Sequence, residues 1–220
     1  KYFNIIYEAL EYVEKSLSGL LEPDIKKNWY DFGCGRGKVS KYIRKNYHPF
    51  HYLGIDIDFN NILHCIKKYG NNINNKEYYL PLDLSSDWDN YDKSWYNLDY
   101  NVKADYIICN FSLMHFCTEK FWEQLNKLSL KGTKILLNLV NSKIEKRIDV
   151  DGSYMYLDKE KDKIKYFFSY IHKKEMTEKY ISDNNFKSII KKFNWKIKKL
   201  YQPKSKGIES YYNWYILEKY

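Results

Sequence analysis

Two carboxylates and three alternating glycines form the most distinctive chemical pattern in this chain. Residues 31–37 read DFGCGRG, and Asp56 follows the last glycine by nineteen positions, from 37 to 56. We expect Gly33, Gly35 and Gly37 to adopt positive φ and to bring bare backbone amides against a ligand, where the next helix begins its dipole. Asp56 is expected at the end of the following strand, where a carboxylate accepts hydrogen bonds from both hydroxyls of a ribose. The pattern therefore predicts a site for a nucleoside cofactor.

The spacing of this loop separates two classes of cofactor. A dinucleotide fingerprint, G-x-G-x-x-G, requires glycine at its sixth position, which Lys38 occupies in this chain. The D-x-G-x-G-x-G turn lacks the pyrophosphate geometry and favours S-adenosylmethionine, which becomes S-adenosylhomocysteine on methyl transfer. Asp31 is expected either to bind the methionine ammonium through water or to organise the glycine turn.

Further cofactor contacts are expected at the carboxyl ends of the other strands, because ligands of an open parallel sheet bind there. Asp83 follows the third predicted strand and is expected either to accept from the adenine amino group or to serve as a turn residue. The fourth predicted strand ends at Asn110 and Phe111. The predicted cofactor contacts are Asp31, Gly33, Gly35, Gly37, Asp56, Ile57, Asp83, Leu84, Asn110 and Phe111.

The elements that must position these residues alternate between strands and helices. Apolar runs bounded by turn residues predict five strands, over residues 29–32, 51–57, 77–82, 104–110 and 133–140. Apolar residues at three- and four-residue spacing predict the helices between them, over residues 38–46, 60–68 and 120–128. This alternation predicts a parallel sheet with helices on both faces.

The carboxyl-terminal third of the chain changes pattern. Antiparallel strands are predicted over residues 154–157 and 163–169, and a helix over 186–193 precedes a hairpin of strands at 195–201 and 211–218. Five βα units closed by such a hairpin describe the α/β, Rossmann-like fold of S-adenosylmethionine-dependent methyltransferases, with a mostly parallel seven-stranded sheet. The prediction is one domain over residues 1–220, divided into an amphipathic helix 2–21, a cofactor core 27–140 and a substrate-binding insertion with the hairpin 141–220.

Bulk composition narrows the partners and the environment. The chain has 220 residues, 37 Lys and Arg against 28 Asp and Glu, and a formal net charge of +9. This charge favours nucleic acid as a polyanionic partner, with A/T-rich codon usage as the alternative source of lysine. No apolar run approaches the roughly 20 residues that cross a bilayer, so no membrane association is expected. Four scattered cysteines predict a reduced, cytoplasmic protein without a metal site, and Lys1 in place of methionine favours a piece of a longer polypeptide.

The end of the fourth predicted strand bears on the methyl acceptor. Residues 108–116 read ICNFSLMHF and lack the Pro-Pro-aromatic turn that is usual for methylation of exocyclic amino groups. Methylation at pyrimidine C5 needs a thiolate nucleophile. Cys109 lies within the strand, however, and is expected to pack as a small buried hydrophobic residue.

The same segment resembles the Cys-Gln-Phe motif of the mRNA cap guanine-N7 methyltransferases, which continues to His-Tyr. Matching strings extend over nearly the whole chain, at residues 2–4, 31–37, 54–57, 168–172 and 177–180. With these strings, the lysine-rich composition and the absent initial methionine make the chain resemble the methyltransferase domain of a capping enzyme from large cytoplasmic DNA viruses of the African swine fever virus type. The family usually carries Gly-Gly-Asp after the third glycine, where this chain has Lys38 and Val39.

The resemblance implies a reaction and its partners. Methyl would pass from S-adenosylmethionine to N7 of the guanine in a GpppN cap, by in-line positioning and without a general base. The implied partners are the capped RNA 5' end and covalently linked triphosphatase and guanylyltransferase domains, whereas the resemblance assigns no activating subunit. Asn4 is implied as a further cofactor contact.

The resemblance also implies substrate contacts. Phe111 and Tyr212 would flank the guanine, and His115 would touch the base edge or the ribose. Glu178 would accept hydrogen bonds from the base N1–H and amino group, with Glu175 as the competing candidate. The candidate contacts to the cap triphosphate are Arg36, Lys38 and Lys41.

Two other functions stay open at this stage. One is an S-adenosylmethionine-dependent methyltransferase that acts on tRNA or on a small molecule. The other is a non-catalytic, methyltransferase-like subunit that stimulates a partner. The intact glycine loop and Asp56 favour catalysis over this last function, because a degenerate fold tends to lose its cofactor loop.

Overall fold

The computed structural model describes residues 27–47, 49–70, 77–88, 101–140, 146–148, 154–158, 163–167, 175–202 and 212–220. The predicted helix 2–21, including Asn4, lies outside these residues. Within the described part of the chain, no helix combines the length and the apolar character needed to cross a bilayer.

The amino-terminal part alternates strands and helices, as the sequence predicts. Its elements in chain order are β1 (Asn28–Phe32), α1 (Lys38–Tyr47), β2 (His51–Asp56), α2 (Phe59–Tyr69), β3 (Glu77–Pro81), β4 (Ala104–Cys109), α3 (Leu113–Phe116), α4 (Glu119–Leu128) and β5 (Ser129–Val140). The four-residue helix α3 is too short to give a periodic signal, and the sequence did not predict it. Strand β5 begins four residues earlier than predicted because Lys131 and Gly132 interrupt its apolar pattern.

The carboxyl-terminal part contains the predicted hairpin and a second sheet. Its elements are β6 (Lys146–Ile148), β7 (Tyr154–Asp158), β8 (Lys163–Phe167), β9 (Glu175–Lys179), α5 (Asp183–Lys192), β10 (Trp195–Tyr201) and β11 (Tyr212–Lys219). Strands β6 to β9 form a four-stranded antiparallel sheet in chain order. The sequence predicted only β7 and β8. The other two strands are edge strands that are three residues long or rich in charge, so their patterns are weak.

The main sheet has seven strands in the order β3-β2-β1-β4-β5-β11-β10. The first five of these strands are parallel, and β11 pairs antiparallel with both β5 and β10. Chain order reverses between β1 and β4, which lie side by side. The crevice beyond the carboxyl ends of these two strands is therefore the expected ligand site of this fold.

Two hydrophobic cores hold the sheet from opposite faces. Tyr30 and Phe32 of β1 pack with residues of α4 and α5, whereas Trp29 packs with residues of α1 and α2. This alternation follows from the two-residue period of a strand. Helices thus cover both faces, as predicted, and the loops at the carboxyl ends of the strands rest on a closely packed base.

Candidate functional site

The glycine loop between β1 and α1 is fixed to β2 by backbone hydrogen bonds. The amides of Gly33 and Cys34 both donate to the carbonyl of Ile55, at 2.7 and 2.9 Å. The amide of Gly35 donates to Oδ2 of Asp56 at 2.8 Å. The φ angles of the three glycines, at positions 33, 35 and 37, are +76°, +53° and +70°. The predicted left-handed turn is therefore confirmed, and Asp56 braces it.

Two of these glycines differ in what a side chain would meet. A Cβ at Gly33 would lie 2.3 Å from Cβ of Ser112, which follows β4 and donates through Oγ to the carbonyl of Phe32 at 2.6 Å. Gly33 is thus required by close packing of two loops. A Cβ at Gly35 would meet nothing within 4 Å among the described residues. Gly35 therefore leaves open space where a ligand can approach the backbone.

A cavity of about 500 Å³ opens at the predicted edge of the sheet. Its volume falls within the range of small-molecule sites. Residues from the glycine loop, the ends of β2 and β3, and the segment after β4 line it: Gly33, Asp56, Ile57, Leu82, Asp83, Leu84, Ser85, Phe111, Ser112, His115 and Phe116. Six predicted cofactor residues and one predicted substrate residue therefore share one cavity. Leu82, Ser85, Ser112 and Phe116 are additional, and their ordinary residue types gave no sequence signal.

The two carboxylates of the cavity have different hydrogen-bond partners. Asp56 accepts through Oδ1 from the amide of Asp58 at 2.9 Å and from Nδ2 of Asn61 at 3.3 Å, besides the bond from Gly35 to Oδ2. Asp83 accepts through Oδ1 from the amide and the hydroxyl of Ser85, at 2.8 and 2.6 Å. Asp83 therefore has the turn role that was one of its two alternatives. Because each oxygen has two lone pairs, Oδ2 of each carboxylate can still accept from a ligand.

Asp31 lies beneath the glycine loop and does not line the cavity. Its side chain is 1% exposed, and Oδ2 accepts from Tyr52 on β2 at 2.8 Å and from Ser40 on α1 at 3.4 Å. Ser40 and Tyr52 also share a hydrogen bond. These contacts join β1, β2 and the first turn of α1, so they fit the alternative in which Asp31 organises the turn. Burial, opposed by the bonds from Tyr52 and Ser40, raises the pKa of Asp31 to about 6.

Phe111 adopts an unusual backbone conformation at the rim of the cavity. Its φ is +54°, in the left-handed region that non-glycine residues rarely occupy. The amide of Phe111 donates to Oδ1 of Asn138 at 2.7 Å, and Asn138 is fully buried on β5. Sequence patterns did not identify Asn138, because an asparagine inside a strand gives no signal of its own. Its side chain holds the turn that presents Phe111.

Asn110 contributes a buried acceptor next to the glycine loop. Its Oδ1 has no hydrogen-bond partner within the described part of the chain. Because β1 pairs with β4 through Asp31 and Ile108, Asn110 follows β4 at the level of Gly33. A buried acceptor without a partner is unfavourable by about 1–3 kcal/mol. This position therefore fits a ligand that brings a donor, such as an ammonium group.

The two aromatic residues that were expected to flank a base contact each other instead. The ring of Phe111 meets the ring of Tyr212 edge to face, with centroids 4.7 Å apart, and Trp214 at 5.6 Å. A base held between two rings needs about 7–8 Å, which is two van der Waals contacts of 3.5–4.0 Å. In this arrangement the two rings do not enclose a base, and the contact of each ring with guanine stays a prediction. Tyr212 is 5% exposed and supports Phe111 from behind.

The remaining predicted substrate residues occupy separate positions. Arg36, Lys38 and Lys41 are exposed on the glycine loop and α1. Partial burial, and then the charges of Arg36 and Lys68, lower the pKa of Lys38. Cations from the loop, α1 and α2 thus lie close enough to interact.

Two predicted glutamates lie on the second sheet. Glu175 and Glu178 belong to β9, and their backbones pair with Phe167 and Ile164 of β8. Both stay candidates for the contact to the base.

The candidate nucleophile that the sequence argued against is buried. Cys109 is 1% exposed, and burial raises the pKa of its thiol well above the ordinary value. The expectation that it packs as a small hydrophobic residue is confirmed. Among the described residues, no group of three or more His, Cys, Asp or Glu side chains is arranged to hold a metal ion.

Replacing Asn138 with alanine is expected to lower the free energy of unfolding by about 2 kcal/mol, since the partly buried amide of Phe111 loses its acceptor. Urea denaturation measures this change. The same substitution should cost at least as much when Phe111 is glycine, because the amide still loses its acceptor and glycine has no strain at positive φ to release. A change near zero in the wild-type background would show that Asn138 does not hold the turn.

Strand order, glycine loop and cavity together define the class of protein as an S-adenosylmethionine-dependent methyltransferase. Comparison with protein families agrees, since the model described as a methyltransferase domain matches residues 6–200. The chain belongs to this family. A search of curated proteins gave no match.

Solved structures show the same fold at low sequence identity. An S-adenosylmethionine-dependent methyltransferase from Clostridium acetobutylicum is 13% identical, with a TM-score of 0.63 over 96% of this chain and 90% of that chain. One from Mesorhizobium loti is 9% identical, with a TM-score of 0.65 over 93% and 96%. Magnesium protoporphyrin IX methyltransferase from Synechocystis, with bound S-adenosylmethionine, is 13% identical, with a TM-score of 0.56 over 99% and 78%. The predicted fold class is therefore confirmed.

Proposed function

We propose that this protein transfers the methyl group of S-adenosylmethionine to N7 of the guanine in a capped RNA 5' end, GpppN. The observation that carries the proposal is that an aromatic side chain, Phe111, lines the cofactor cavity, and that exposed cations lie on or beside the glycine loop, whose Gly33 also lines it. These cations include Arg36 and Lys38, and the charges of Arg36 and Lys68 add to partial burial in lowering the pKa of Lys38. A base joined to a triphosphate needs both features.

The residues in and beside the cavity suit the parts of S-adenosylmethionine. Of the residues that line it, Asp56 would accept from the ribose hydroxyls and Asp83 from the adenine amino group. Beside it, Oδ1 of Asn110 would accept from the methionine ammonium, and the space next to Gly35 would let the ligand approach the loop. When bound, the cofactor supplies a methyl group that its sulfonium already activates.

The reaction needs no proton transfer from the protein. Guanine N7 carries an in-plane lone pair and no hydrogen, so no side chain has to act as a general base. Catalysis then rests on positioning, which contributes about 7–11 kcal/mol when the reacting atoms are held in line at about 3 Å. Residues that fix the base against the cavity are therefore the ones that determine the rate.

Phe111 is the residue that we assign to the base. Its left-handed backbone is held by Asn138, and its ring is supported by Tyr212 and Trp214. One face of a rigid aromatic ring contributes about 1–3 kcal/mol to stacking on a base. Tyr212 thus acts through Phe111. His115 lines the same cavity from α3 and would contact the base edge or the ribose.

The substrate also indicates the partners. A GpppN cap is produced by removal of the RNA γ-phosphate and transfer of a guanylyl group. We therefore propose triphosphatase and guanylyltransferase activities as partners, joined to this chain or acting beside it. The viral capping enzymes that the motifs resemble are the proposed setting.

One incubation tests the proposal directly. The protein is mixed with S-adenosylmethionine labelled at the methyl group and with a GpppG-capped RNA, and the product is digested to nucleosides. We expect label in 7-methylguanosine, no label on uncapped RNA of the same sequence, and none on RNA whose cap already carries N7-methyl. Label in tRNA or in small molecules but not in the cap would reject the cap assignment.

Replacing Glu178 with alanine is expected to raise KM for the cap substrate about tenfold while leaving the Kd for S-adenosylhomocysteine unchanged. The loss equals about 1.4 kcal/mol, the size of one hydrogen bond to a charged group. Steady-state kinetics and calorimetry measure the two quantities. Glu175→Ala is the matched control, because it removes the same carboxylate from the same strand, three residues earlier. If Glu175→Ala raises KM and Glu178→Ala does not, the two assignments are exchanged.

A further inference from the structure

Two buried cysteines meet beneath the cofactor loop, and the proposed reaction uses neither. Cys34 lies within the loop, between Gly33 and Gly35, and Cys65 lies on α2. Their side chains are 7% and 0% exposed. The Sγ atom of Cys65 donates to the carbonyl of Gly35 at 3.3 Å, and that of Cys34 approaches the same oxygen at 3.7 Å. Both sulfurs therefore lie against one carbonyl oxygen, and each thiol changes the pKa of the other.

The surroundings give these thiols different reactivity. The hydrogen bond from Cys34, and to a smaller degree the charge of Lys68, lower the pKa of Cys65. The same hydrogen bond and burial raise the pKa of Cys34. Thiolates are the reactive form of cysteine. Cys65 is therefore the thiol that reacts first with an oxidant, and Cys34 is the thiol that can then form an S–S bond with it.

We propose that Cys34 and Cys65 form a reversible disulfide that lowers the affinity of the protein for its cofactor, with peroxide as the oxidant. The Cys65 thiolate attacks one peroxide oxygen, the O–O bond breaks, and water leaves after protonation, which gives a sulfenic acid. The Cys34 sulfur then attacks the sulfenic sulfur, the S–S bond forms, and a second water leaves with the thiol proton. Two thiols and one hydrogen peroxide thus yield one disulfide and two waters, and a dithiol reductant reverses the step.

The geometry of the loop explains why this bond would affect the cofactor. A disulfide holds its sulfur atoms about 2.05 Å apart, closer than a hydrogen bond between thiols allows. Its formation draws the loop toward α2 and removes the Cys65 thiol that donates to the carbonyl of Gly35. The amide of Gly35 is bonded to Asp56, so a shift of this peptide disturbs the carboxylate assigned to the ribose. A disturbed glycine loop binds the cofactor less tightly.

Thermodynamic linkage adds a reciprocal expectation. If the disulfide weakens cofactor binding by a given factor, bound cofactor must disfavour the disulfide by the same factor. Bound cofactor should also slow the oxidation itself. Both sulfurs are covered, so the loop must open before peroxide reaches Cys65. A bound ligand that stabilises the loop slows this opening.

Calorimetry with S-adenosylhomocysteine and peptide mapping test the proposal together. The reduced protein and the protein treated with hydrogen peroxide are compared after alkylation of free thiols. We expect a cross-linked peptide joining Cys34 to Cys65, a Kd for S-adenosylhomocysteine at least tenfold higher after oxidation, and recovery with dithiothreitol. Excess S-adenosylhomocysteine during oxidation should lower the yield of the cross-link. Cys65→Ser should abolish both the cross-link and the change in Kd.

The matched control is Cys117→Ser, which changes another buried cysteine and keeps the pair intact. The indole of Trp122 donates to the sulfur of Cys117 at 3.4 Å, and the hydroxyl that replaces this sulfur can accept the same bond. This variant should respond to peroxide as the wild type does. Absence of the cross-link at equilibrium, or an unchanged Kd in the cross-linked protein, would overturn the proposal.

The inference rests on the cofactor part of the proposed function and is independent of the cap substrate. Failure of the reduced protein to bind S-adenosylhomocysteine would overturn both the cofactor assignment and the regulatory role of the disulfide. Tight binding by the reduced protein without any effect of oxidation would overturn the disulfide proposal alone. The two failures are thus distinguished by the first titration.

Discussion

Replacing Gly35 with alanine is expected to raise the Kd for S-adenosylhomocysteine about 100-fold while the protein stays folded. A Cβ at this position meets no described protein atom within 4 Å, and the neighbouring Gly33 lines the cavity, so we expect the cofactor to extend onto this loop and to meet the added methyl group. The expected loss of binding free energy is about 2.7 kcal/mol. Alanine at a φ of +53° also costs about 1–2 kcal/mol of stability. Calorimetry measures the affinity, and urea denaturation measures the stability.

The chain offers a matched control for the backbone strain. Gly70 at the end of α2 has a φ of +76° and likewise leaves a Cβ free of contacts within 4 Å among the described residues. Its ψ of 157° is at least as unfavourable for alanine, so Gly70→Ala should lose as much stability as Gly35→Ala. It should nevertheless bind S-adenosylhomocysteine with the wild-type Kd. Tight binding by Gly35→Ala would show that the glycine loop is not part of the cofactor site.

Gly33→Ala separates packing from binding. Its Cβ would lie 2.3 Å from Cβ of Ser112, a distance that forces two loops apart. We therefore attribute any loss of cofactor binding in that variant to distortion of the protein. Gly35 is the informative position because the structure around it is open.

Sequence patterns predicted the parts of the site that rest on backbone rules. Positive φ in the glycine loop follows from residue types that tolerate it, and Asp56 and Asp83 follow from the rule that ligands bind where parallel strands end. The strands β1 to β5 followed from their apolar runs, because a buried parallel strand leaves little choice of residue. These inferences need only local sequence and the order of elements.

Contacts between distant segments could not be predicted in the same way. Nothing near Phe111 in the sequence indicates that Asn138, 27 residues later, would accept from its amide. The edge-to-face contact between Phe111 and Tyr212 depends on the pairing of β11 with β5, which sets Tyr212 opposite Val140. Side-chain direction at a strand end is decided by tertiary packing, so a resemblance in residue type did not determine the ring geometry. Asp31 shows the same limit, since its partners are chosen by the fold.

The largest pH effect is expected from that buried carboxyl. The pKa of Asp31 is raised to about 6 in the folded protein, whereas an exposed Asp in the unfolded chain titrates near 3.9. Between about pH 4 and pH 6 the folded state therefore binds more protons than the unfolded state, and the free energy of unfolding falls as pH rises. The full loss approaches about 3 kcal/mol above pH 6, because two units correspond to about 2.7 kcal/mol. Asp31→Asn removes this dependence.

The expected result is a change with pH in the stability difference between Asp31→Asn and the wild type. From about pH 4.5 to about pH 8, the free energy of unfolding of Asp31→Asn should rise by about 2 kcal/mol relative to that of the wild type, because the rest of the loss falls below about pH 4.5. A constant offset from the amide does not alter this change. Urea denaturation at both pH values measures it. Asp105→Asn is the control, because Asp105 is partly exposed and pairs with Lys27 at 3.2 Å, so its neutralisation should give no gain at pH 8. A pH-independent offset between wild type and Asp31→Asn would mean that the carboxyl is already ionised without penalty, and that Tyr52 and Ser40 compensate its burial in full.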